Sequence, residues 1–121
     1  MQVVHRTAAG ETTVLADQIR LADGFIAKTR GLMGRSPLQP GEAMVFPFDQ
    51  VGRRQIHTMF VFAAIDVLWI EAERVRAKTT FSPWSLGEAH PADTVIELPA
   101  DTARGVEVGD IITLVSETAM N

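Results

Sequence analysis

Apolar residues crowd into residues 55–70, QIHTMFVFAAIDVLWI, where His57, Thr58 and Asp66 interrupt an otherwise hydrophobic run. The run falls short of the roughly 20 apolar residues that a membrane-spanning helix needs, so no membrane span is expected. In a strand, alternate side chains take opposite faces. That period predicts a strand over Gln55–Phe62, with His57, Met59 and Val61 on one face and Ile56, Thr58, Phe60 and Phe62 on the other. Ala63-Ala64 lacks turn residues, so a second strand over Ile65–Glu71 follows after a bend or bulge. It places Asp66 with Leu68 and Ile70, in or beside a core.

The rest of the chain divides into similar short units. The opening predicts a strand, a turn around Ala9-Gly10-Glu11 and a second strand over Thr12–Leu21. Asp23 is placed to cap a short helix over residues 24–33, with Phe25, Thr29 and Leu32 at helical spacing, Gly31 weakening it and Gly34 stopping it. EAMVFPF reads as a strand that Pro47 ends or confines to an edge, and DQVGRR as the exposed tip of a hairpin. Further strands are predicted over Val75–Phe81, through TVIELP and through IITLVSE, with SPWSLGEAHPAD as a long loop and Asp101 capping a helical turn. About eight short strands and one or two short helices result, mainly β with α+β character at the margins. The pattern points to an antiparallel barrel or sandwich with helices at the rim.

Composition narrows the chemistry. With 121 residues the chain is read as a single domain with a self-sufficient core. It has no cysteine, which excludes disulfides, thiolate metal sites and a cysteine nucleophile. A net charge of −4 is the wrong sign for a phosphate backbone, so no nucleic-acid partner is expected. MQVVHRTAAGETTVL has no basic region followed by an apolar block, so the chain as given reads as soluble, without a signal peptide.

Asp66 raises the sharpest question, because a carboxylate buried without a partner costs several kcal/mol. Its candidate partners are Arg30, Arg35, His57, Ser85 and the backbone amides of a nearby loop. It is either a structural tie between the sheet and a helix or loop, or part of a partly wet pocket. His57 is a core or rim histidine, a ligand, or a proton carrier whose tautomer Asp66 fixes. His57 and Met59 together offer an imidazole and a thioether, donors that suit copper(I), but His5 and His90 supply no placeable third ligand. Ser36, Ser82, Ser85 and Ser116 lack the nucleophile-elbow motif, which leaves only a remote Ser85-His57-Asp66 triad. RGLMGR is not a phosphate-binding loop, as it follows no strand and lacks the lysine. Trp84, in a proline loop, is a lid over the core or an aromatic platform for a ligand.

TRGLMGRSPL, IHTMFVFAAIDVLWIEAERV, PW and VIELPADTARGVEVGDII, in that order over most of residues 20–115, resemble the bacterial and archaeal family named domain of unknown function 192. The matching positions are Arg30, Gly31, Leu32, Met33, Arg35, His57, Thr58, Ile65, Asp66, Pro83, Trp84, Gly109 and Asp110. The resemblance implies a small, mostly β, jelly-roll-like or barrel-like fold with short helices and no established activity; many relatives look exported. Val61 and Ala64 stand where the family tends to carry methionine and then proline, and Arg74 and Asp101 stand where glycine is usual. Ser85 replaces a common arginine, so an anion site built on that arginine would be missing.

The resulting expectation is a non-enzymatic small-ligand-binding or interaction module. Its site is placed at a rim where Arg30, His57, Met59, Asp66 and Trp84 converge, with a small molecule as partner and no cofactor or bound metal. The alternatives are a hydrolase-like or metal-assisted enzyme using His57 and Asp66, and a structural or accessory protein without a pocket.

Overall fold

A computed structural model describes residues 1–24, 28, 31–32, 34–58 and 61–116, and in it the chain builds one eight-stranded sheet. The strands are β1 (Gln2–Arg6), β2 (Thr12–Ala16), β3 (Gln18–Leu21), β4 (Glu42–Ile56), β5 (Ile65–Glu71), β6 (Arg74–Phe81), β7 (Glu88–Pro99) and β8 (Ile111–Val115). Their spatial order is β2-β1-β8-β6-β5-β7-β4-β3. The mainly β expectation holds, with two refinements. The sheet is mixed, because β3 runs parallel to β4, and it is not closed, so its likeness to a barrel is loose. The edge strands β2 and β3 are joined by Asp17 alone, so the sheet must curl to bring its edges toward one another. β3 contacts β1 across the gap. Among the described residues no ladder of hydrogen bonds seals it.

Curling gives the sheet two differently used faces. The interior face carries Val3, Val45, Leu68, Ile70, Val75, Ile96, Leu98 and Ile112, and the turn after β7 closes it with the fully buried Ala103 and Val106. The outer face carries Met44, Phe46, Val67, Trp69 and Val95, packed under Ala22, Leu32, Leu38 and Val61. β5 explains why both faces must be covered: Leu68 and Trp69 are neighbours in sequence, point opposite ways, and are both fully buried. Each such side chain contributes about 1.5–3 kcal/mol through removal from water. β5 turns into β6 through Ala72 and Glu73, both in the left-handed region at φ 50° and 67°, the backbone of a tight two-residue hairpin.

Four expected boundaries move. The strand expected over Thr12–Leu21 divides at Asp17 into β2 and β3, which serve opposite edges. The expected hairpin tip DQVGRR is the middle of β4: Met44–Pro47 pair with Glu97–Thr94, and Gly52–Ile56 pair with Ala92–Glu88. Residues 48–51 therefore face Asp93 alone, forming a bulge that accommodates Pro47, which has no N–H to give a ladder. The strand expected over Gln55–Phe62 stops at Ile56, and β7 begins at Glu88, which shortens the proline loop. Asp101 caps no helix: its φ of 71° places it in a run of turns. Most of the helix expected over residues 24–33 lies outside the described residues; Lys28 is helical, and its N–H bonds the Gly24 carbonyl at 3.1 Å.

Candidate functional site

Past the end of β4 the chain turns a corner built on Thr58. This fully buried threonine donates its hydroxyl to the Ser82 carbonyl at 2.7 Å and accepts the Ser85 N–H at 2.7 Å. Its own N–H reaches the Ser85 carbonyl at 2.9 Å, and its carbonyl accepts the N–H groups of Trp84 at 2.8 Å and Val61 at 3.0 Å. The corner and the loop between β6 and β7 are thereby fastened together. Gly87 completes the contact, since a Cβ there would lie 1.4 Å from the Ile56 carbonyl oxygen. Trp84 is held at φ 63°, an unusual conformation for a bulky residue. Its ring meets Phe62 edge-on at 5.8 Å between centroids. Phe62 is 59% exposed, Trp84 46% and Leu86 78%, so together they present an apolar surface to solvent.

Beside this corner, the second half of β4 forms one wall of a cleft of about 700 Å3, within the range of small-molecule sites. Phe46, Phe48 and Ile56 supply its apolar lining, Lys28, Arg53 and Arg54 its positive charge, and Asp23 and Asp49 its negative charge. The Phe48 ring is approached by Lys28 Nζ at 4.7 Å and Arg54 Cζ at 3.8 Å from its centroid.

Three buried acids differ in how they are answered. Asp66, 2% exposed, accepts the Thr80 hydroxyl at 2.7 Å and the Ala103 N–H at 2.8 Å, tying the turn after β7 to the interior face. Lys78 completes that tie by donating to the carbonyls of Ala103 at 3.1 Å and Val106 at 2.6 Å. Asp110 bonds His5 Nε2 at 2.7 Å and accepts the Glu107 N–H at 3.0 Å. The His5 hydrogen bond, with help from that amide, holds the Asp110 carboxyl below its ordinary value. Glu97, 5% exposed on the outer face, has Met44 and Val67 as its register neighbours, and its Oε2 has no hydrogen-bond partner. Burial alone pushes its carboxyl up to about 8, so it is predominantly protonated at neutral pH.

The expected convergence of site residues is therefore revised. Asp66 reaches the backbone amide of Ala103, not His57, and Arg35 donates instead to the Gly31 carbonyl at 2.8 Å. His57 is exposed at the corner, next to Ile56 of the cleft wall. Ser85 donates its hydroxyl to Ser82 at 2.8 Å, and the Ser85-His57-Asp66 triad is not assembled. Arg30 and Met59 lie outside the described residues. Among the described residues no three His, Asp or Glu side chains gather as a metal site. Sequence reasoning missed Glu97 and Arg54. A readable signal for Glu97 was that TVIELP is apolar on both strand faces, which implies cover over the glutamate as well.

The chain matches the family profile described as DUF192, uncharacterized ACR, over residues 4–114. It is 35% identical over 99 residues to a UPF0127 protein of Pyrococcus abyssi, spanning 77% of this chain and 82% of that one. A UPF0127 protein of Thermococcus kodakarensis is 32% identical over 99 residues, 78% of this chain and 63% of the relative. Among solved structures, a Sinorhizobium meliloti protein presented as a candidate transcription regulator superposes with a TM-score of 0.82 at 26% identity, covering 93% of this chain and 91% of that one. A protein of unknown function from Novosphingobium aromaticivorans has a TM-score of 0.80 at 20% identity over 94% of this chain and 84% of its own, a likeness of fold.

Proposed function

This chain belongs to the DUF192 family, and we propose that it acts as a non-enzymatic small-ligand-binding module whose site is the cleft along the second half of β4. The observation that carries this reading is a cleft of about 700 Å3 that combines an apolar lining, from Phe46, Phe48 and Ile56, with the charged groups of Asp23, Lys28, Asp49, Arg53 and Arg54. Ligand sites have this mixture: apolar walls supply affinity, and a few placed polar groups supply orientation. The neighbouring corner supports the same reading. A strained Trp84, fixed by the buried Thr58, is the kind of backbone cost that folds retain at binding sites.

A hydrolase-like use of His57 draws no comparable support, because Asp66 is engaged by Thr80 and Ala103 and is not available to orient the imidazole. The net charge of −4 argues against nucleic acid as the partner. The test is a fragment panel followed by backbone amide NMR. Binding should move the resonances of residues 46–56 and should disappear in Ile56→Trp, which fills the cleft. A panel that shifts no cleft resonance, or shifts that persist in Ile56→Trp, would overturn the assignment.

A further inference from the structure

Resting on that reading of the cleft, we propose that Arg54 makes it a site for a small organic acid, whose carboxylate meets the guanidinium while its apolar body lies against Phe48 and Ile56. The bulge in β4 seats this arginine. Nε donates to the Ala92 carbonyl at 3.3 Å and Nη2 to the Gln50 carbonyl at 2.6 Å. One face of the guanidinium packs on Phe48, and a Cβ at Gly52 would come within 3.1 Å of Cζ, so glycine leaves the group its room. The backbone is held as well, since the buried Trp69 donates its indole N–H to the Arg54 carbonyl at 2.8 Å.

Such a guanidinium has already lost its rotamer freedom before any ligand arrives, which lowers the cost of binding. Of its five N–H donors, only two are used by these carbonyls. Arg20, Arg76 and Arg104 each pair with a carboxylate, at 3.4, 2.7 and 3.5 Å, whereas among the described residues no carboxylate pairs with Arg54. Lys28 and Arg53 add positive charge, while Asp23 and Asp49 oppose it. Three cations less two carboxylates leave one net positive charge, which suits a monoanion. The remaining N–H groups form a planar array matched to a carboxylate.

The probes are benzoate, its neutral isostere benzamide, and phenyl phosphate, titrated into the full chain and followed by NMR. Benzoate is expected to bind at least tenfold more tightly than benzamide and to weaken as salt rises. Arg54→Met should lose that preference. Arg54→Lys, which keeps the charge without the fork, should retain part of it and serves if the methionine variant folds poorly. Benzamide binding as well as benzoate, or an unchanged preference in both variants, would overturn the anion assignment while leaving the cleft reading in place. Tighter binding of phenyl phosphate than of benzoate would overturn the choice of carboxylate. Failure of all three probes, with no fragment in the wider panel shifting the cleft, would overturn both.

Discussion

The interior and outer faces of the same sheet treat a buried acid in opposite ways. On the interior face, Asp66 is matched by a hydroxyl from β6 and an amide from the turn that closes the curled sheet, and Lys78 answers the carbonyls of that turn. On the outer face, Glu97 sits between Met44 and Val67 with an oxygen that bonds nothing. At the other end of the β4–β7 ladder, past the bulge, Arg54 holds most of its donors unpaired by protein. The difference is physical before it is functional. The interior face encloses a core that tolerates no unanswered charge, because a low dielectric magnifies both the benefit of pairing and the cost of its absence. The outer face is covered by Ala22, Leu32, Leu38 and Val61, which lie outside the strands, and it borders a cleft open to solvent. Polar groups kept there without protein partners point to something other than the fold.

The largest consequence concerns pH. Glu97 has an ordinary value of 4.5 and is pushed up to about 8 when folded. Below 4.5 both folded and unfolded chains hold the proton; between 4.5 and about 8 only the folded chain does. Its contribution to stability is therefore lost as pH rises through that window, by at most on the order of 5 kcal/mol, and is flat above it. Asp110 has the opposite sign. Its carboxyl is held below the ordinary value by His5, so its contribution is present at neutral pH and lost as pH falls through the lowered value. Urea unfolding at a series of pH values should separate the two, with the alkaline-side decline absent in Glu97→Gln.

Next in size is the interior tie. Asp66→Ala strands the Ala103 N–H and removes the Thr80 acceptor, and should cost about 3 kcal/mol in urea unfolding at neutral pH. A loss under about 1 kcal/mol would mean that the turn after β7 finds water in place of the carboxylate. The smallest effect belongs to Lys78→Met. It removes the donor from the carbonyls of the buried Ala103 and Val106, but Lys78 itself is exposed, so water can enter where the ammonium sat, and the change should cost about 1 kcal/mol.

The central strands were readable because their patterns are strong. Ile65–Glu71 is a continuous apolar run, and it became a strand buried on both faces. Residues 49–54 defeated the same reasoning, since polar residues with a glycine resemble a turn whether they reverse the chain or bulge within a long strand. Only the partner strand β7 distinguishes the two, and pairing across some forty residues leaves no local mark. Asp66 was recognised as needing a partner, with the backbone amides of a nearby loop among the candidates, but which loop was not legible because Ala103 lies 37 residues away. His5 and Asp110 are 105 residues apart, so neither identified the other. Glu97 was overlooked because a lone polar residue in a strand ordinarily marks the solvent side, and here the solvent side is covered.

The most direct test of the contrast between the faces is the stability of Glu97→Leu at neutral pH, measured by urea unfolding beside the unaltered chain. An acid that serves the fold would be missed; one retained at a cost would not. The account predicts a gain of about 2 kcal/mol with no change in urea dependence. A loss of stability would contradict it, because it would mean that the Glu97 carboxyl is answered within the protein and that the two faces treat their acids alike.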